Sequence, residues 1–149
     1  MILSVGSKAQ CYIKSNDEGG YITYYMEPEL VAQTSEFGMA LSVQMISDKY
    51  YLAVTYQFGG ASQPVEEKIA LNLKNGYSLE LDMYTMEVGS AGNVELCMAV
   101  FHLEETQMNY FTKSPLSTVK FKTQDGKSHT LTVTSSNDVL VRQLKCFRK

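Results

Sequence analysis

Hydrophobic and polar residues alternate on both sides of an Asn-Gly pair in the middle of the chain. The apolar positions before and after this pair are Ile69, Leu71, Leu73, Leu79, Leu81 and Met83. Alternation places each set on one face of a β-strand. A two-residue loop would turn the two sets to opposite faces, whereas a three-residue loop, 74–76, pairs Leu71 with Leu79 and Ile69 with Leu81. The pattern therefore predicts a hairpin with a type I turn and a G1 bulge, in which Gly76 has a positive φ.

A second hairpin follows the same rule about fifty positions later. A three-residue loop, 124–126, pairs Val119 with Leu131 and Phe121 with His129. The two hairpins share few identities, which favours two unrelated hairpins over an internal repeat.

A third hairpin is predicted over residues 39–58. Odd-numbered positions are apolar before its turn and even-numbered positions after it. This change of parity requires a loop of even length. The residues at 47–50 do not favour the positive φ values of a two-residue loop, so a four-residue loop, Ser47–Tyr50, is predicted.

Other stretches complete the sheet. Alternation near 9–13, 22–26 and 94–103 predicts strands, and 29–38 is either a loop or one helical turn. Glu104 and Glu105 start a predicted short helix that Pro115 stops. An apolar stripe predicts a C-terminal helix that covers an edge or end of the sheet. The sequence thus predicts one domain, 1–149, with a mainly β fold. It is an antiparallel β-sandwich or barrel-like fold of about eight strands, with a short helix near 104–112 and a C-terminal helix 138–147.

Charge and hydropathy argue against a nucleic-acid partner and against a transmembrane segment. The chain has 149 residues and a net charge of −3, without a Lys/Arg cluster. We therefore expect no nucleic-acid partner. No apolar run approaches the ~20 residues of a transmembrane helix, so no transmembrane segment is expected.

The cysteines and the N-terminus bear on the compartment. Cys11, Cys97 and Cys146 are widely spaced and form no CxxC pair, which favours buried free thiols. If the protein is exported, a disulfide between two of these cysteines is the alternative. The N-terminus lacks a signal-peptide pattern, which predicts a cytoplasmic protein. If the N-terminus was trimmed, a location in the cell envelope is the alternative.

Three segments carry a resemblance to known proteins. They are Lys49-Tyr-Tyr-Leu52, the hairpin Leu73-Lys-Asn-Gly-Tyr-Ser-Leu-Glu-Leu81, and Leu116 to Val133 followed by a terminal helix. Together they resemble a loose group of small β-rich proteins from Bacteroidetes, largely of uncharacterised function. Some members carry export or lipoprotein signals, so the resemblance implies a cell-envelope location. It supplies no catalytic residues.

Catalytic, metal and cofactor motifs are missing from the sequence. His102 and His129 are interpreted as structural or rim histidines, because no nucleophile motif accompanies them. Adjacent residues of a strand point to opposite faces, so Glu66 and Glu67 cannot converge. No metal-ligand spacing or phosphate loop is present. We expect no enzyme activity, no cofactor and no metal.

Ten Tyr and eight Met without Trp remain the unusual feature. Their main expected role is core filling, and a subset could line an adaptable apolar pocket. The candidate ligand-binding residues are Tyr24, Met26, Met45, Tyr56, Met83 and Met98. The first hypothesis is a non-catalytic binding module for an apolar small molecule or lipid. The second is a protein–protein interaction module that uses an edge strand or a Tyr patch, and an enzyme ranks last.

Overall fold

The fold is mainly β. The computed structural model describes residues 11–17 and 19–148, of which 58% lie in strands and 12% in helices. The strands in these residues are β1 (Lys14–Asp17), β2 (Ile22–Tyr25), β3 (Glu29–Gln33), β4 (Phe37–Ile46), β5 (Lys49–Phe58), β6 (Val65–Leu73), β7 (Ser78–Ala91), β8 (Val94–Leu103), β9 (Leu116–Thr123) and β10 (Ser128–Thr132). The helices are α1 (Glu105–Phe111) and α2 (Val139–Phe147). Both predicted helices are confirmed.

The strand count of about eight is too low, because ten strands are present in the described residues. The segment 29–38 contains β3, where the sequence pattern allowed only a loop or a helical turn. Residues 14–17, which no predicted strand included, form β1. In the strand predicted near 9–13, Ala9 lies outside the described residues, and residues 11–13 are not in a strand.

The strands form an antiparallel sheet in the order β1-β2-β4-β5-β8-β7-β6-β9-β10, with β3 also paired to β4. Strand β7 belongs to two parts of this sheet. Its beginning, 78–82, pairs with β6, and its end, 83–91, pairs with β8. We call β6, β9, β10 and the start of β7 the small half-sheet. The large half-sheet consists of β1–β5, β8 and the end of β7.

The two half-sheets enclose one hydrophobic core. Tyr56 of the large half-sheet and Phe121 of the small one have ring centroids 4.9 Å apart. Phe37 of β4 reaches the same Phe121 ring at 5.4 Å. The sheet order begins at β1 and ends at β10, so the sheet is not a closed barrel. The arrangement is a sandwich made by bending one sheet through β7.

The hairpin registers follow the predicted parity. Leu71 lies opposite Leu79 and Ile69 opposite Leu81, with φ of +99° at Gly76. In the second hairpin, Val119 pairs with Leu131 and Phe121 with His129, with φ of +86° at Gly126. Both bulged turns are therefore confirmed, because only these registers put the apolar residues on one side.

The loop of the third hairpin is shorter than predicted. Ile46 pairs with Lys49, which leaves a two-residue loop of Ser47 and Asp48. These residues adopt φ values of +50° and +66°. Asp tolerates the left-handed region better than most residues, which makes this turn accessible without glycine. The parity of the flanking strands is unchanged, since the two loops differ by two residues.

A disulfide joins the beginning of the described chain to α2. Cys11 and Cys146 are bonded although 135 positions separate them, with Cα atoms 5.5 Å apart. The expectation of free thiols is wrong for these two cysteines and right for Cys97, which is free and buried. Sequence separation carried no information here, because the fold brings these two distant segments together.

Among the described residues, no helix has both the length and the apolar content needed to cross a membrane.

Candidate functional site

The predicted ligand-binding residues do not form one pocket. Met98 pairs with Thr55, and the next pair along is Cys97 with Tyr56. Consecutive residues of a strand point to opposite faces. Tyr56 is therefore 1% exposed in the core, whereas Met98 is 52% exposed on the outside.

The other four candidates lie elsewhere in the large half-sheet. Tyr24 is 38% exposed and pairs with Met45 near the end of β4. Met26 directly follows β2 and is buried. Met83 packs against the core at the bend of β7. The sequence identified residues suited to soft apolar contacts, but it could not tell which of them share a surface.

The Tyr56 hydroxyl is a buried polar group without a partner. No described residue makes a hydrogen bond with its oxygen. Burial raises the pKa of this hydroxyl, and the neighbouring Cys97 thiol contributes in the same direction. The group therefore stays neutral, and its position costs free energy unless a partner is supplied.

His129 is engaged in the turn between β9 and β10. Thr123 Oγ1 lies 3.0 Å from His129 Nε2 and 2.6 Å from Asp125 Oδ1. A hydroxyl has one proton to donate, and the carboxylate can only accept. Thr123 therefore donates to Asp125 and accepts from His129. Since the Thr123 side chain is 0% exposed, these contacts stabilise the turn.

A polar groove lies on the outer side of the small half-sheet. It has a volume of about 880 Å³ and is lined by charged and small residues of β6, β7 and β9. Glu66 and Glu67 both line it, although strict alternation would place these consecutive residues on opposite faces. A bulge between Val65 and Ile69 interrupts the alternation of β6 there.

The charges of this groove are partly neutralised within the protein. Lys68 Nζ lies 2.5 Å from Asp82 Oδ1 and 3.7 Å from Glu80 Oε1. All three side chains are more than half exposed. Surface ion pairs of this kind contribute little energy and are typical of a solvated sheet face. Within the described residues, no cluster of His, Cys, Asp and Glu could hold a metal ion.

An aromatic cluster lies on the opposite side of the molecule. The rings of Tyr51, Tyr84 and His102 are mutually in contact. Their centroids are 4.9 Å apart for Tyr51 and Tyr84, 5.3 Å for Tyr84 and His102, and 5.5 Å for Tyr51 and His102. Tyr51 and His102 are direct cross-strand partners. Tyr84 joins them because a bulge inserts it between Met83 and Thr85 of β7. Parity alone places Tyr51, but it cannot place Tyr84, since a bulge changes the alternation.

Tyr51 and His102 of this cluster also belong to an uncharged side of the sheet, which we call the outer face. It is defined by four residues from each of β4, β5 and β8, namely Gly38, Ala40, Ser42, Gln44, Tyr51, Ala53, Thr55, Gln57, Leu96, Met98, Val100 and His102. None of them is Asp, Glu, Lys or Arg; Gly38, Ser42 and Tyr51 are buried, and the other nine are partly or fully exposed. Glu87 of β7 borders this face beside Met98. The alternate residues of these strands, such as Leu41, Val54 and Ala99, are buried in the core.

No protein-family model, curated protein or solved structure matches this chain.

Proposed function

We propose that this protein is a non-catalytic protein-interaction module that binds its partner through the outer face. The observation that carries the proposal is the absence of Asp, Glu, Lys and Arg from the twelve residues of the outer face. The one-sided burial of an antiparallel sheet normally leaves polar and charged residues on its solvent side. The small half-sheet follows this rule, whereas the outer face of β4, β5 and β8 does not.

The physical argument is one of desolvation. Removing water from a charged side chain costs free energy that an apolar or small side chain does not require. The buried centres of protein interfaces are accordingly depleted in charged residues and enriched in Tyr and Met. Met98 is 52% exposed and Tyr84 is 54% exposed at this face. Both can bury apolar area when a partner docks.

An apolar small molecule or lipid has less support as the ligand. Tyr56, Phe101 and Phe111 are among the large side chains that fill the space between the half-sheets. An internal cargo would have to displace such residues from a packed core. Native mass spectrometry tests this hypothesis, and a co-purifying apolar molecule released on denaturation would favour it over the interaction module.

We also propose that the protein works in an oxidising compartment. The Cys11–Cys146 disulfide supports this, because disulfides persist in exported proteins and are rare in the cytosol. Thiol trapping in intact producing cells tests the proposal. We expect only Cys97 to react with an alkylating reagent after unfolding; three reactive thiols would contradict an oxidising location.

Photocrosslinking tests the interaction module and does not require an identified partner. Thr55, at the centre of the outer face, is replaced by p-benzoylphenylalanine in the producing cell. Thr130 on β10, which is exposed on the small half-sheet, is replaced in the same way as a control. We expect a discrete adduct from position 55 that is absent at position 130 and is lost when Met98→Lys is added. No adduct, or equal adducts at both positions, would contradict the proposal.

A further inference from the structure

We infer that the Cys11–Cys146 disulfide is a redox-operated latch on the β1–β2 ribbon, which we define as residues 11–17 and 19–25. Reduction of the bond by a dithiol releases the ribbon and uncovers the edge of β4 at residues 44–46, while the rest of the sheet stays folded. The latch works whether or not the outer face binds a partner.

The ribbon is not fixed by burial. None of its residues is buried, and the side chains of Ile13, Tyr21 and Ile22 are each more than 40% exposed. Ordering a segment costs conformational entropy, which the burial of apolar area normally offsets. A two-stranded hairpin without such burial is only marginally stable in water. The ribbon therefore depends on its other attachments to stay ordered.

The ribbon has a short pairing with the rest of the sheet. Strand β1 pairs with β2, and β2 pairs with β4 at residues 23–25. Strand β4, in contrast, pairs with β5 over its whole length. The ion pair between Lys14 and Glu27 is exposed on both sides and contributes little energy. The covalent bond is therefore the strongest attachment of the ribbon to the body of the fold.

The two cysteines belong to parts of the fold that are held very differently. Cys146 lies in α2, whose Leu140, Gln143 and Leu144 are buried. Cys11 precedes β1 in the ribbon. Regions with few buried contacts open at a lower free energy than the core does. When the bond breaks, α2 therefore stays in place and the ribbon is the part that moves.

The chain is anchored again directly after the ribbon. Met26 is buried, and the carbonyl oxygen of Glu27 accepts a hydrogen bond from the Gln143 amide at 3.0 Å. Two residues further along, Glu29 forms an ion pair with Arg142 of α2. These contacts hold the chain from Met26 onward, so the opening ends at residue 25.

Opening leaves a backbone donor of β4 without its partner. The N–H of Val43 points away from β5, toward Gln143. Since backbone groups alternate in direction along a strand, the N–H of Met45 points the same way, toward its β2 partner Tyr24. The N–H of Gln44 points to β5 instead. Once the ribbon has moved, Met45 lies on a free edge with which another extended chain can pair.

The chemistry of the latch is a thiol–disulfide exchange. Cys11 and Cys146 are both partly exposed, which gives a reductant access. A dithiol supplies two electrons and two protons; the bond between the two Sγ atoms breaks, two thiols form, and the dithiol closes to its own disulfide. Cys97 is 0% exposed, so it is shielded from exchange and the same pair forms again on oxidation.

Nuclear magnetic resonance of the oxidised and the reduced wild type tests the latch. We expect backbone order parameters of about 0.85 in the ribbon of the oxidised protein and below about 0.6 after reduction with dithiothreitol. Strands β5 and β9 should stay at about 0.85, and oxidised glutathione should restore the ribbon. Cys11→Ser with Cys146→Ser should resemble the reduced protein. The control Cys97→Ala should respond to reduction as the wild type does.

Hydrogen exchange at two neighbouring amides separates local opening from general destabilisation. Loss of the bond also destabilises the whole protein, which accelerates every amide that exchanges through global unfolding. Local opening adds to this only at Met45, so its exchange should accelerate at least tenfold more than that of Gln44. Equal acceleration at both amides, a ribbon that stays ordered after reduction, or a reduced protein that unfolds would each overturn the latch. A wild type that cannot be oxidised to the disulfide would overturn it as well.

Discussion

Gln143 of α2 accepts a hydrogen bond from the backbone N–H of Val43 at 2.8 Å. On the side of β4 away from β5, Val43 has no paired strand residue, since β3 ends its pairing at Leu41 and β2 starts at Gln44. The Gln143 amide also donates to the Glu27 carbonyl at 3.0 Å. One buried side chain thus completes a sheet edge that two strands leave open, and it connects α2 to the large half-sheet.

Replacing Gln143 should therefore be costly. Gln143→Ala leaves the Val43 N–H without its partner in a buried place, and an unsatisfied buried group costs about 1–3 kcal/mol. We expect the free energy of unfolding, measured by urea denaturation, to fall by this amount. Gln124→Ala, at an exposed loop position, should stay within about 0.5 kcal/mol of the wild type. Equal effects from both substitutions would disprove a special role for Gln143.

Adjacent glycines after β5 offer a pair of contrasting substitutions. A Cβ at Gly59 would lie 2.7 Å from the Ser35 carbonyl oxygen, whereas a Cβ at Gly60 would meet no atom within 4 Å. Gly59→Ala should lower the free energy of unfolding by about 1–3 kcal/mol through this steric conflict. Gly60→Ala should be neutral or stabilising by less than about 1 kcal/mol. Thermal unfolding of both variants checks the difference, and similar melting temperatures would refute it.

The unpaired Tyr56 hydroxyl predicts an unusual result for a core substitution. Tyr56→Phe removes a polar atom that has no hydrogen-bond partner among the described residues and keeps the ring contact with Phe121. We expect stability to be unchanged or to rise by about 1–2 kcal/mol. Tyr56→Leu should instead destabilise, because the ring packing is lost. A clear loss of stability in Tyr56→Phe would show that the hydroxyl has a partner in solution.

The ion pair between Glu29 and Arg142 should make the free energy of unfolding depend on pH. Burial alone raises the pKa of the Glu29 carboxyl, but the two hydrogen bonds from Arg142 and its charge outweigh burial, so the pKa lies below the ordinary 4.5. A depressed pKa in the folded state contributes stability above the unfolded pKa. That contribution is lost as the pH falls through the folded value.

The comparison of wild type with Glu29→Gln measures this contribution. The difference in free energy of unfolding should be constant above about pH 5.5 and should shrink as the pH falls below about 4.5. Glu36→Gln, which removes an exposed carboxyl, serves as the control. A difference between wild type and Glu29→Gln that does not change with pH would contradict the ion pair.

The disulfide should contribute strongly to stability. It closes a loop of 135 positions, for which the chain-entropy relation gives about 5 kcal/mol as an upper figure. We expect Cys11→Ser with Cys146→Ser to lower the free energy of unfolding by about 2–5 kcal/mol. A reducing agent should have the same effect on the wild type and none on the double variant. Equal stability of the two proteins would mean that the bond is not formed in solution.

Apolar alternation by itself determined the three predicted hairpins, because only one parity keeps both strands of a hairpin on the core side. Leu71 opposite Leu79, and Val119 opposite Leu131, follow from that condition and from a glycine at the turn. The two helices could equally be predicted from the sequence, since their apolar spacing and flanking residues are local signals.

Only the tertiary structure decided the features that depend on distant or irregular backbone. The bulges that insert Tyr84 and leave both Glu66 and Glu67 lining one groove break the alternation on which sequence reasoning relies. The Cys11–Cys146 bond and the Gln143–Val43 contact join residues whose proximity no local pattern encodes. The uncharged outer face is of the same kind, because it exists only once β4, β5 and β8 lie side by side.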